Sequence, residues 1–90
     1  MGNKIVQLRV AADSQIDKVG SAAIRFVKEG NDVELLAMGA GAVNQAIKSC
    51  IKARGFGAPA GIDLAVRPGF IDVNVQDKVK SAICLRLIQM

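Results

Sequence analysis

The stretch Leu35-Leu36-Ala37-Met38-Gly39-Ala40-Gly41-Ala42-Val43-Asn44-Gln45-Ala46-Ile47-Lys48 decides the fold. An apolar run passes through two closely spaced glycines into residues that repeat at helical spacing. That is a strand, a tight turn and a helix. The strand is read over residues 33–38, short and apolar enough to lie buried between neighbours. The helix is read over residues 42–54, with Gly55 as its end. Val43, Ala46, Ile47, Cys50 and Ile51 make its apolar face, and Asn44, Gln45, Lys48, Ser49 and Lys52 its polar face.

Toward the N-terminus, Ser14-Gln15-Ile16-Asp17 has the form of a capping box, so a first helix is expected to follow and run to about Glu29. Ile16, Val19, Ala23, Phe26 and Val27 share its apolar side, and Gly30 stops it. Residues 4–11 alternate as a strand, with Val6, Leu8 and Val10 on one face and Gln7 and Arg9 on the other. Toward the C-terminus, residues 56–61 read as a loop. Residues 62–75 form a long strand with Ile62, Leu64 and Val66 on one face, where Pro68-Gly69 marks either a bulge or an edge. Gln76-Asp77-Lys78 is a hairpin turn, and residues 79–88 return with Ile83, Leu85 and Leu87 inward.

The order is thus β-α-β-α-β-β. Right-handed crossovers place both helices on one face of the sheet. The expected fold is α/β, of the α+β kind: a two-layer sandwich with two helices on one face of a mixed four-stranded sheet, in one domain over residues 1–90. The bare sheet face would carry Gln7, Arg9, Glu34, Asp63, Arg67 and Arg86.

Composition narrows the chemistry. The 90 residues are 51% hydrophobic and 22% charged, which is ordinary globular usage. Three phenylalanines are the only aromatics, so Val, Ile, Leu and Ala must build the core. Histidine is absent, which removes the commonest general base and metal ligand. Two cysteines make neither a disulfide framework nor a four-ligand zinc site. Cys50 lies on an apolar helix face and Cys84 in the last strand, where inert core thiols are expected. Asp13 with Asp17, and Asp72 with Asp77, suit caps and turns better than an acid–base pair. No catalytic residue, metal ligand or cofactor site is expected, and the chain is read as a non-enzyme. No run approaches a membrane span, and Gly2 lacks the Ser or Thr at position 6 that myristoylation requires, so the cytoplasm is the expected compartment.

Binding is the remaining possibility. Twelve basic residues against eight acidic give a net charge of +4, compatible with a polyanionic partner or with solubility alone. The turn at Gly39 and Gly41 opens a helix whose N–H groups and dipole suit an anion. Three readings stay open for it: a tight turn only, the phosphates of a nucleic acid, or a free nucleotide. A dinucleotide site would need a third glycine where Asn44 stands. No acidic residue occurs between Leu35 and Ile62, while Lys48 and Lys52 lie one helical turn apart. Lys78 and Lys80 sit at the final hairpin, where a β-ribbon can reach a groove. Only Phe56 and Phe70 are free to be exposed, so an aromatic stacking platform is missing.

The run from Met38 to Lys48, followed by Ala53-Arg54-Gly55-Phe56, Ala58-Pro59, Gly61-Ile62-Asp63-Leu64 and Pro68-Gly69-Phe70, resembles the stage V sporulation protein S family over essentially the whole chain. That family is similar in fold to the Alba chromatin and RNA-binding proteins, which are usually dimeric. Alba proteins bind nucleic acid through the loop after the first strand, the start of the second helix and the final hairpin. Carried onto this sequence, the surface keeps Gly39, Gly41, Asn44, Gln45 and Lys48, with Lys78 and Lys80 on the hairpin, and the basic face of the second helix adds Lys52 as a candidate phosphate contact. The loop after the first strand, Ala11-Ala12-Asp13-Ser14, lacks the lysines Alba places there, and Ala40 stands where Alba has a basic residue. Binding is therefore expected to be weak or built from several subunits.

The resemblance implies a small cytoplasmic regulator connected with sporulation or development that binds the DNA or RNA backbone, as a homodimer or higher homo-oligomer. The alternative is a protein-interaction or assembly module that uses the second helix without nucleic acid.

Overall fold

A computed structural model describes residues 4–90. The reading of Gly2 lies outside the described residues. Strand β1 (Ile5–Val10), helix α1 (Ile16–Lys28), strand β2 (Asp32–Ala37), helix α2 (Ala40–Gly57), strand β3 (Leu64–Val75) and strand β4 (Lys78–Gln89) follow in the expected order. Both helices lie on one face of a mixed sheet of order β1-β2-β4-β3, consistent with an Alba-like two-layer sandwich.

β1 pairs parallel with β2, from Ile5 opposite Asp32 to Val10 opposite Ala37. β4 returns antiparallel between β2 and β3, so the second crossover skips a strand. The alternation of apolar residues then sorts the two faces. Val10, Val33, Leu35, Ala37, Leu85 and Leu87 turn toward the helices and meet Ala23, Ile24, Ala46 and Ala53 in one core. β2 pairs β4 only from Glu34 to Ala37. The β3–β4 hairpin beyond that point stands free as a two-stranded ribbon.

Helix α1 ends as expected. Gly30 adopts φ +89° and donates to the Val27 carbonyl, while the Asn31 N–H reaches the Phe26 carbonyl. This is the paired bonding of a Schellman motif. Its start differs from the capping box. The N-cap is Gln15, with no side-chain cap bond, because the Ser14 hydroxyl instead accepts the Ala11 N–H at 2.8 Å. The serine closes the β1–α1 turn.

Helix α2 departs from expectation in both extent and orientation. It starts at Ala40 and runs through Gly55 to Gly57. Gly55 does not terminate it, and the chain reverses only at Gly61, φ +76°, after a short turn of 3-10 helix over Ala58–Ala60. Its buried residues are Ala42, Ala46, Ser49, Cys50, Ala53 and Gly57, whereas Ile47 and Ile51 are 41% and 64% exposed. The reason is a close helix crossing. A Cβ on Gly20 of α1 would stand 2.7 Å from the Lys52 Cβ and 3.0 Å from the Ser49 carbonyl oxygen, so only small residues fit the facing side of α2. Ser49 is fully buried, and its hydroxyl donates to the Gln45 carbonyl at 2.8 Å.

β3 carries Pro68-Gly69 without a bulge, since its register with β4 is unbroken from Leu64 opposite Gln89 to Val75 opposite Lys78. It is an edge strand, where a missing N–H costs no ladder bond. The hairpin turn is Gln76-Asp77 alone, both residues at positive φ, and Lys78 already belongs to β4. Ile62 lies before β3 instead of within it. Asp63 is not on the open face: its carboxylate accepts from Arg54 Nε of α2 at 3.0 Å.

Candidate functional site

Three segments far apart in sequence converge where β1 and β2 end. They are the β1–α1 turn, the start of α2 and the ribbon. The turn and the helix are joined tightly: the Gln45 Nε2 donates to the Ser14 carbonyl at 2.9 Å, and a Cβ on Gly41 would stand 3.0 Å from the Ala12 Cβ. Gly39, the N-cap of α2, holds φ 87° and ψ 156°, a region essentially restricted to glycine. The first helical bond of α2 runs from the Val43 N–H to the Gly39 carbonyl, so the N–H groups of Ala40, Gly41 and Ala42 have no intrahelical partner, and the turn carries no acidic residue and no side-chain cap. Between the three segments opens a cleft of about 450 Å³. Ala11, Ala12, Gly39 and Gly41 line one side of it, and Leu36, Val73 and Ala82 another, with Arg9 beside them.

The structure places the expected site residues in three groups. Gly39 and Gly41 line the cleft, and Gln45 ties its wall to the neighbouring turn. Asn44 and Lys48 are exposed along α2. Lys52 points toward α1, where its Nζ lies 3.2 Å from the Asp17 carboxylate. Lys78 and Lys80 are exposed on the ribbon. Alternation in β4 gives them the same face as Ala82, Cys84 and Arg86, opposite to the helix-facing Leu85 and Leu87. The lysines of α2 and those of the ribbon therefore belong to opposite sides of the sheet.

Arg9 and Arg67 share the ribbon lysines' face, and neither has an ion-pair partner among the described residues. The two carboxylates of that face are already engaged. Arg86 lies 3.0 Å from Asp32 and 3.8 Å from Glu34, and Gln7 donates to Glu34 at 3.0 Å. Among the described residues, the open face thus presents Arg9, Arg67, Lys78 and Lys80 without an ion-pair partner. Strand alternation put Arg9 and Arg67 on the bare face. Arg67 joins Lys78 and Lys80 through the β3–β4 hairpin, whereas the kinship of Arg9 with them depends on the β2–β4 pairing, which no local pattern encodes.

The sequence model of the stage V sporulation protein S (SpoVS) family matches residues 6–90. The chain belongs to the SpoVS family. It is accordingly a small sporulation-related protein. The match spans every element from β1 onward, so the cleft, the ribbon and both helices all lie within the part shared with SpoVS. No helix among the described residues is long and apolar enough to cross a membrane.

The two thiols of this SpoVS-family chain are free and buried. Burial pushes Cys50 up to about 11 from its ordinary 9.0. Cys84 is also raised, first by burial and then by the neighbouring Glu34 carboxylate. Reactive thiols are depressed, not raised. A thiol held high binds its proton more tightly in the folded state, so its contribution to stability is complete below pH 9.0 and declines as pH rises toward about 11. Urea unfolding at pH 8 and pH 10 should show this loss, and Cys50→Ala should remove the Cys50 part. Modification by a thiol reagent at pH 8 should proceed at the rate of unfolding.

Proposed function

We propose that this SpoVS-family protein is a non-enzymatic, cytoplasmic nucleic-acid-binding regulator, contacting phosphates through the start of α2 and the ribbon lysines Lys78 and Lys80, with Lys48 supplying a separate contact from the helix side of the sheet. One observation carries the reading: the β1–α1 turn, the glycine-opened helix and the ribbon meet at one cleft, and the free cations on its open-face side have no ion-pair partner among the described residues. Backbone contacts of this kind tolerate sequence and depend strongly on salt.

Titration of duplex DNA, single-stranded DNA and RNA across a salt series tests it. Each lost duplex contact lowers the magnitude of the log K against log salt slope by about 0.9. Lys80→Ala and Lys48→Ala should each flatten the slope. Lys52→Ala should do less, since Lys52 is engaged with Asp17. Lys28→Ala, on α1, is the matched control. Equal weakening by Lys28→Ala and Lys80→Ala would mean that affinity follows net charge alone. Absence of binding to all three at about 50 mM salt, where electrostatic contacts are strong, would overturn the proposal.

A second reading is favoured by a different surface. The flank of α2 facing the β3 edge exposes Ile47 and Ile51, and Phe70 on the helix-facing side of β3 is 80% exposed. Two helices leave this part of a four-stranded sheet bare. The shelf suits a second copy of the chain and supports an assembly role, alone or alongside nucleic-acid binding.

A further inference from the structure

In register across the open sheet face run Arg9, Leu36, Cys84 and Gly69. The cleft reaches this row at Arg9 and Leu36, with Val73 and Ala82 of the ribbon beside them and the start of α2 and the β1–α1 turn as its other wall. Leu36 is 6% exposed and Ala82 3%, so its floor is apolar and made of side chains already packed. Lys80 stands directly across the ribbon from Val73, on the same face. The result is an apolar slot with Arg9 in its lining and Lys80 on the same face of the adjoining ribbon. Arg9 has no ion-pair partner among the described residues, and the nearby carboxylates are taken by Arg86. A volume of about 450 Å³ lies within the range of pockets that enclose small organic groups.

Resting on the nucleic-acid reading above, we infer that this slot accepts an unstacked base and that the protein selects single-stranded over duplex nucleic acid. The slot and these cations match the two parts of a nucleotide. A base offers a flat, largely apolar body, and its flanking phosphates are anions. A base inside a duplex is paired and stacked, and extruding it costs a few kcal/mol, whereas a single strand presents it without that cost. Aliphatic walls can sandwich a base as aromatic ones do, so the shortage of aromatic residues does not prevent recognition. Arg9 and Lys80 would hold the phosphates on either side of the inserted base.

Fluorescence anisotropy with three probes of equal length and charge per strand tests the inference: a single-stranded oligonucleotide, its duplex, and an oligomer of abasic sites. The intact single strand should bind about tenfold tighter than the other two, in keeping with the burial of one base. Ala82→Leu, which fills the slot, should remove that advantage and bring single-strand affinity down to that of the duplex. Val73→Trp is a second filling variant at a half-buried ribbon position, and thermal unfolding verifies that either variant is folded. Equal affinity for all three probes, unaffected by filling, would overturn the slot while leaving the phosphate-binding reading in place. No binding to any probe would overturn both. A mononucleotide that binds as tightly as the strand would assign the slot to free nucleotides and so overturn strand selection.

Discussion

Gly20→Leu is expected to destabilise the fold by about 3 kcal/mol, at the upper end of overpacking costs. The three atoms nearest the new Cβ all lie at or next to the α2 backbone: the Lys52 Cβ at 2.7 Å, the Ala53 nitrogen at 3.0 Å and the Ser49 carbonyl oxygen at 3.0 Å. None can swing aside as a side-chain tip can, so the helices must part. Small domains have total stabilities of only about 5–15 kcal/mol, so this loss is large. Gly55 supplies the control. It lies inside α2 without a left-handed φ, and a Cβ placed there would have nothing within 4 Å. Gly55→Ala should therefore stabilise by about 1 kcal/mol through helix propensity alone. Gly20→Ala faces the same propensity gain and should nevertheless destabilise. Urea unfolding of the three variants decides the matter. Equal behaviour of Gly20→Ala and Gly55→Ala would show that the helices do not approach this closely.

The second large effect concerns assembly. Wild-type protein at tens of micromolar should sediment at twice 9.5 kDa or above, and Phe70→Glu or Ile51→Glu should return it to a 9.5 kDa monomer. Phe70 and Ile51 are 80% and 64% exposed, so a charge at either position leaves the fold intact and acts on the surface alone. A standard interface takes about 800 Å² from each partner, and an ionised carboxylate buried in its apolar part without a partner is strongly unfavourable. The charge variants also separate the two proposed roles. If they weaken nucleic-acid binding together with self-association, the binding surface is shared between subunits. If binding persists in the monomer, the cleft and ribbon act within one chain. Sedimentation of wild-type protein only at 9.5 kDa would remove the shelf as a self-association surface.

Element order and type were legible because they rest on local chemistry. Alternation in Val6, Leu8 and Val10, helical spacing between Ala42 and Ala53, and the left-handed Gly30 each act within a few residues. The same local signals identified Gly39 and Gly41 as a turn into a helix, and exposed lysines on the hairpin. Side chains that join two elements were less accessible. Ser14 looked like a cap and instead closes a turn. Lys52 looked like a free cation and lies beside Asp17 of another helix.

What the sequence alone determined is therefore the set of elements, the buried side of each strand and membership of the SpoVS family. Tertiary structure decided which face of α2 is buried. Hydrophobicity favoured Ile47 and Ile51, but the close crossing at Gly20 admits only small residues, and steric exclusion outweighed the burial of two isoleucines. It also decided the strand order. Placing β4 between β2 and β3 brings Arg86 to Asp32 and Glu34, and leaves Arg9, Arg67, Lys78 and Lys80 on one face without an ion-pair partner among the described residues. Pairing between distant strands is set by the packing of the whole sheet, because each strand's own pattern specifies a face and not a neighbour.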